Sequence, residues 1–136
     1  AIALDTKLPQ PQYNLARLLR KQGDIREAVR RFRTVTDLLP EHSMGYVALA
    51  SVYDGRCGKQ WEDLDEAVAI LQKAAAVTKR EDPGVLRALA AVHARQGQIQ
   101  SATSVALEAI ALARSAGDSA LEQAILRDQD RWASGR

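Results

Sequence analysis

The stretch "LARLLRKQGDIREAVRRF" (Leu15–Phe32) holds two amphipathic helical patterns separated by a single glycine, Gly23. Leu15, Ala16 and Leu19 form a short apolar comb before the glycine. Ile25, Ala28, Val29, Phe32, Val35 and Thr36 form a longer one after it. Spacings of three and four place such residues in one stripe on one face of a helix. Glycine tolerates the left-handed conformation in which a helix can stop, so the stretch predicts a helix, a tight turn and a second helix. A second passage, "LAAVHARQGQIQSATSVA" (Leu89–Ala106), has the same arrangement around Gly97.

Working outward, the longer comb recurs at Leu64, Ala67, Val68, Leu71, Ala74 and Ala75, and again at Ile99, Ala102, Thr103, Ala106, Ala109 and Ile110. The shorter comb recurs at Leu49, Ala50 and Tyr53, and at Leu89, Ala90 and His93. Leu15 to Leu49 is 34 residues and Leu49 to Leu89 is 40. Five of the six extra residues fall in "DGRCGKQW" (Asp54–Trp61) and one near Asp82. A fixed period in this range marks a stack of identical supersecondary units. Ala16 and Ala28, Ala50 and Ala67, and Ala90 and Ala102 keep the paired faces small, so the two helices of a unit can approach closely. Pro40 ends the second helix of one pair, and Asp82-Pro83 supplies an N-cap followed by a first-turn proline.

These residues resemble the tetratricopeptide repeat family. Its pattern is met by Leu15, Ala16, Gly23, Ala28, Phe32 and Pro40 in a first unit (9–42). Tyr46, Leu49, Ala50, Tyr53, Ala67, Leu71 and Ala74 meet it in a second (43–81, with the insertion 54–61). Leu86, Leu89, Ala90, Gly97, Ala102 and Ala109 meet it in a third (82–116). The second unit lacks the turn glycine, and the third has Ala106 for the aromatic and no terminal proline. The resemblance implies an all-α fold, a right-handed superhelix of antiparallel helix hairpins. Residues 117–136 are read as a C-terminal capping helix opened by Asp118, with Leu121, Ala124, Ile125 and Trp132 inward and Glu122, Arg127, Asp128 and Arg131 outward. "AIALD" (Ala1–Asp5) reads as the end of a preceding unit (1–8).

Composition agrees. The 136 residues are 46% hydrophobic and 26% charged, which suits a globular domain. The net charge of +2 is too small to imply a polyanion partner, but residues 1–60 hold 10 Lys/Arg against 6 Asp/Glu, and residues 61–136 hold 9 against 11. One end is basic, the other mildly acidic. The arginines of "RRFR" (Arg30–Arg33) and Arg26 are spread around a helix, so nucleic acid is not expected as a partner. No apolar run is long enough to span a bilayer, so no membrane contact by this segment is expected. The lone Cys57 can form no internal disulfide.

Catalytic and metal-binding patterns are missing. His42, Cys57 and His93 have no metal-ligand spacing. His93 is expected to pack at a helix–helix contact, and Cys57 to be an exposed, ordinary thiol. The carboxylates of "EDLDE" (Glu62–Glu66) open a helix, where they complement its dipole. The chain is therefore expected to be no enzyme, with no cofactor and no metal. What remains is surface. In the resembled family the first helix of each hairpin lines a concave groove, and alignment carries its binding positions to Tyr13, Asn14, Arg17, Arg20, Lys21, Ser51, Arg87 and Arg95, with Val47, Ala48, Asp54 and Ala91 between them. The Lys/Asn/Arg set with which one subclass grips terminal carboxylates is replaced here by Tyr13, Arg17, Ala48, Gly84 and Ala88. Guanidinium groups suit bidentate capture of carboxylates, so the expected partner is a protein or peptide, acidic in character. Two alternatives accompany that reading. The C-terminal half is similar to the tetratricopeptide tails of some large bacterial proteins, membrane glycosyltransferases among them, where such an arm would position a partner or substrate. An exposed N-terminal end, carrying Ile2, Leu4, Ile25 and Val29, would instead serve homodimerisation.

Overall fold

The structure, a computed structural model, describes residues 8–135. Among these residues the regular structure is entirely helical: α1 (Pro9–Lys21), α2 (Ile25–Leu38), α3 (Ser43–Tyr53), α4 (Leu64–Val77), α5 (Pro83–Arg95), α6 (Ile99–Ser115) and α7 (Ser119–Ala133), with a 3₁₀ turn at Lys59–Trp61. Each helix packs on the next, and α3 also touches α5, and α5 touches α7. The odd-numbered helices thus form one layer and the even-numbered helices the other, the arrangement of a right-handed α-α superhelix.

The turns follow from the sequence. Gly23, Gly97 and Gly117 have φ of 88°, 81° and 71°. Each donates back to the preceding helix, as Gly23 does to the Arg20 carbonyl at 3.1 Å. The next residue reaches one position further back, as Asp24 does to Leu19 at 2.9 Å. This pair of bonds satisfies carbonyls that a helix end leaves open. The same motif closes α4 without glycine: Lys79 and Arg80 adopt φ of 57° and 55°, and Arg80 donates to Ala75 at 2.7 Å. Asp63, Asp82 and Asp118 cap α4, α5 and α7 through backbone N–H groups of their first turns. His42 is a cap too, its Nδ1 accepting from the Met44 N–H at 3.1 Å.

The core runs continuously between the layers. Ala16, Ala28, Ala50, Ala67, Ala90 and Ala102 are all buried, with Phe32, Leu71, Leu86, Leu89 and Ile125 as its largest closed side chains. Gly45 is buried where α3 crosses α2, and a Cβ there would lie 2.8 Å from Thr36 Cγ2 and 3.0 Å from the Thr36 backbone nitrogen. The Tyr46 hydroxyl ties α3 to the Pro40 carbonyl at 2.8 Å.

Three sequence expectations are corrected by the packing. Ile25, expected to lie open at the N-terminal end, is buried in the core; Ile2 and Leu4 lie outside the described residues. Asp128, expected on the outward face of α7, is 4% exposed and faces α5. Cys57 is half-buried against the core rather than exposed.

Candidate functional site

The site is built on the last turns of α1. Tyr13 lies half-buried with its ring centroid 6.0 Å from that of Phe32. One helical turn on, the Arg17 guanidinium stands 5.8 Å from the Tyr13 centroid. Arg20 is 5.5 Å from the Phe32 centroid, so both arginines have an aromatic floor beneath them. Arg20 also donates from Nη1 to the buried Ser51 hydroxyl of α3, which in turn donates to the Ala48 carbonyl at 2.5 Å. Lys21 is exposed, as is Asn14, whose side-chain oxygen accepts from Gln10 at 3.0 Å. Among the described residues no carboxylate lies within ion-pair distance of Arg17, Arg20 or Lys21.

A second wall comes from the α3–α4 connection. The α1–α2 and α5–α6 connections are residues 22–24 and 96–98, whereas this one runs over residues 54–63. Gly55 and Gly58, at φ of 102° and 108°, turn it. The Asp63 N–H closes it on the Tyr53 carbonyl at 2.9 Å. Cys57 and Trp61 pack against the core, and Arg56 pairs with Asp54 at 2.9 Å. Between this connection and α1 lies an open cavity of about 900 Å³, lined by Asn14, Arg17, Leu18, Arg20, Lys21, Gly23, Ile25, Ser51, Arg56, Cys57, Gln60 and Trp61. Four of these side chains are cationic and none is acidic. Burial pushes the Cys57 thiol above its ordinary value, and this outweighs the opposing pull of Arg20. The thiol is therefore held in its weakly nucleophilic form.

The remaining predicted residues are placed differently. Arg87 makes a two-pronged contact with Asp128 of α7, at 2.8 Å from Nε and 3.4 Å from Nη2, and Asp128 also accepts from Arg131 at 2.8 Å. That hydrogen bond, outweighing partial burial, raises the Arg87 guanidinium above its ordinary value. Arg95 donates to Glu62 at 3.2 Å. Both cations already hold a carboxylate of this chain. The structure therefore brings Tyr13, Asn14, Arg17, Arg20, Lys21 and Ser51 together and sets Arg87 and Arg95 apart. A smaller cavity of about 270 Å³ has Ser51 and Arg95 in its lining, together with Val47, Ala50, Ala88 and Ala91.

Sequence reasoning did not single out Leu18, Arg56, Gln60 or Trp61 as part of a site. The insertion itself was visible as broken spacing, but which helix it folds against was not. His93 is half-buried, and its Nδ1 is enclosed without a hydrogen-bond partner. Among the described residues no group of three or more His, Cys, Asp and Glu side chains is placed to hold a metal ion. No described helix is long and apolar enough to cross a membrane.

The tetratricopeptide repeat family model matches residues 9–34, the first hairpin. No curated protein sequence matches the chain. Among the solved structures that match is the type III secretion translocator chaperone SycD of Yersinia enterocolitica, crystallised as an alternative dimer. It is 19% identical, with 93% of this chain and 96% of that one aligned, at a TM-score of 0.66. At that identity the likeness is one of fold.

Proposed function

We propose that this array of tetratricopeptide-type hairpins, a protein-interaction scaffold, receives an acidic segment of a partner protein across α1 and the α3–α4 connection. The observation that carries the reading is the contrast in charge compensation. Arg87 and Arg95 are neutralised by carboxylates of the chain itself, whereas Arg17, Arg20 and Lys21 border a cavity without one. Guanidinium groups held on aromatic rings keep their N–H edges available and lose little side-chain entropy when a carboxylate arrives. Tyr13 and Arg17 act as the anchor pair, Arg20, held in place by the Ser51 hydroxyl oxygen that accepts from it, as a preset donor, and Asn14 and Lys21 as the rim.

Titration with a fluorescent Asp/Glu-rich peptide tests this. The pair Arg17→Glu and Lys21→Glu is expected to weaken binding at least about tenfold, because a rim charge turned repulsive acts on encounter and retention together. Affinity should also fall as salt is raised. Equal affinity for the charge-reversed protein, or for the Asn/Gln version of the peptide, would remove the proposal.

A further inference from the structure

The long α3–α4 connection faces two hairpins. Toward the third, Glu62 accepts from Arg95 at 3.2 Å and, in the first turn of α4, Asp65 accepts from Gln96 at 2.8 Å. The connection's other edge, with Arg56, Cys57, Gln60 and Trp61, faces the basic end of α1. Leu18, half of whose surface is exposed at 51%, stands on that same cavity wall, with Ile25 and Trp61 beside it. An exposed leucine alone needs no explanation. An exposed leucine and a half-buried tryptophan share this cavity with Arg17, Arg20, Lys21 and Arg56, so it presents apolar and basic surface together.

The insertion, we infer, converts a general groove into a specific anchor for a short partner motif in which a large apolar or aromatic side chain is flanked by carboxylates. The apolar side chain enters between Leu18 and Trp61, and the carboxylates meet Arg17 and Lys21 on one side and, on the other, Arg56, whose pair with Asp54 at 2.9 Å, exposed on the arginine side, exchanges at little cost. This deepens the reading of an acidic partner and rests on it. It adds that the insertion, absent from the other two hairpins, supplies half of the site. Charge complementarity selects the occupant: purely apolar peptides leave the cations without partners, and purely acidic ones leave Leu18 and Trp61 in water.

The test uses the intact chain and three fluorescent peptides: Asp/Glu-rich with a central phenylalanine, the same with serine for phenylalanine, and the Asn/Gln version with phenylalanine. The first should bind at least about tenfold more tightly than either of the others. Arg56→Glu and Leu18→Ser, both on exposed side chains, should each bring that peptide down to the level of its weaker counterparts. Circular dichroism should stay unchanged. Cys57, the chain's single cysteine, reports occupancy directly: the bound peptide should slow its modification by a maleimide. If Arg17→Glu abolishes binding while Arg56→Glu, Leu18→Ser and Cys57 reactivity show no response, the acidic-groove reading stands and the insertion anchor is overturned. If no peptide binds, or Arg17→Glu is silent, both fall. Displacement by inorganic phosphate, where chloride of equal ionic strength has no effect, would overturn the carboxylate assignment in favour of a phosphoryl group.

Discussion

The ends of α1 and α5 occupy equivalent places in two copies of one hairpin, yet their cations do different work. With Leu15 and Leu89 as equivalent positions, Tyr13 corresponds to Arg87 and Lys21 to Arg95. In the third hairpin both cations are taken up by neighbours, Arg87 by the buried Asp128 and Arg95 by Glu62. In the first, Tyr13 supplies a ring floor, and the charges around it meet no carboxylate among the described residues. A repeat fixes where a side chain emerges, while the next element along the stack decides whether its charge is spent on structure or left to a ligand. Here α7 and the insertion lock the C-terminal half, and that same insertion walls the basic cavity of the N-terminal half.

The largest test of this contrast is removal of the lock. Asp128→Ala should lower unfolding free energy by about 2 kcal/mol, because it deletes charge-assisted bonds to Arg87 and Arg131 at a buried site and leaves a void. A urea midpoint unchanged from wild type would show that α7 is held by apolar packing alone. A smaller effect of opposite sign is expected at the end of α4, where residues other than glycine take the left-handed conformation. Lys79→Gly relieves the left-handed strain at φ 57° and should stabilise by about 0.5–1 kcal/mol, read in the same titration. Glu62→Gln breaks a pair whose arginine side chain is 53% exposed, so its cost should stay below about 0.5 kcal/mol and vanish in high salt. It also uncovers Arg95, so acidic-peptide affinity should rise slightly; a fall would mean Glu62 shapes the basic wall. Smallest of all in stability is Arg17→Glu together with Lys21→Glu, expected within about 0.5 kcal/mol of wild type because neither side chain pairs with a carboxylate of the chain. A large loss there would mark these cations as structural, like Arg87. The pH dependence of Cys57 alkylation should have its midpoint above that of a free cysteine, since burial favours the neutral thiol. A midpoint below it would indicate that Arg20 and Arg56 dominate the cavity wall.

Much of the helical layout was legible because it depends on short-range rules. Apolar combs at spacings of three and four name the buried faces, and Gly23 and Gly97 mark stops through a backbone conformation other residues resist. Asp82 and Asp118 announce helix starts by the bonds their side chains can make within one turn. The candidate residues that the structure brings together lie at repeat positions, Tyr13, Asn14, Arg17, Arg20 and Lys21 on α1 and Ser51 on α3, where the period says which way a side chain emerges. Asp128 was misplaced because on a helical wheel it falls among charged neighbours, and no local rule reveals an arginine 41 residues earlier waiting opposite it. Leu18, Arg56 and Trp61 went unnoticed for a related reason: a break in periodicity shows that an insertion exists, and says nothing of where it folds.

The sequence by itself determined the hairpins, their order and the small-residue faces that let them stack, since these are set by propensity, periodicity and capping within a few turns of chain. The tertiary structure alone decided which cations are neutralised, where the insertion packs and that a basic cavity opens beside α1. Charge compensation and cavity shape depend on distances between elements far apart in sequence, and those distances exist only once the stack has formed.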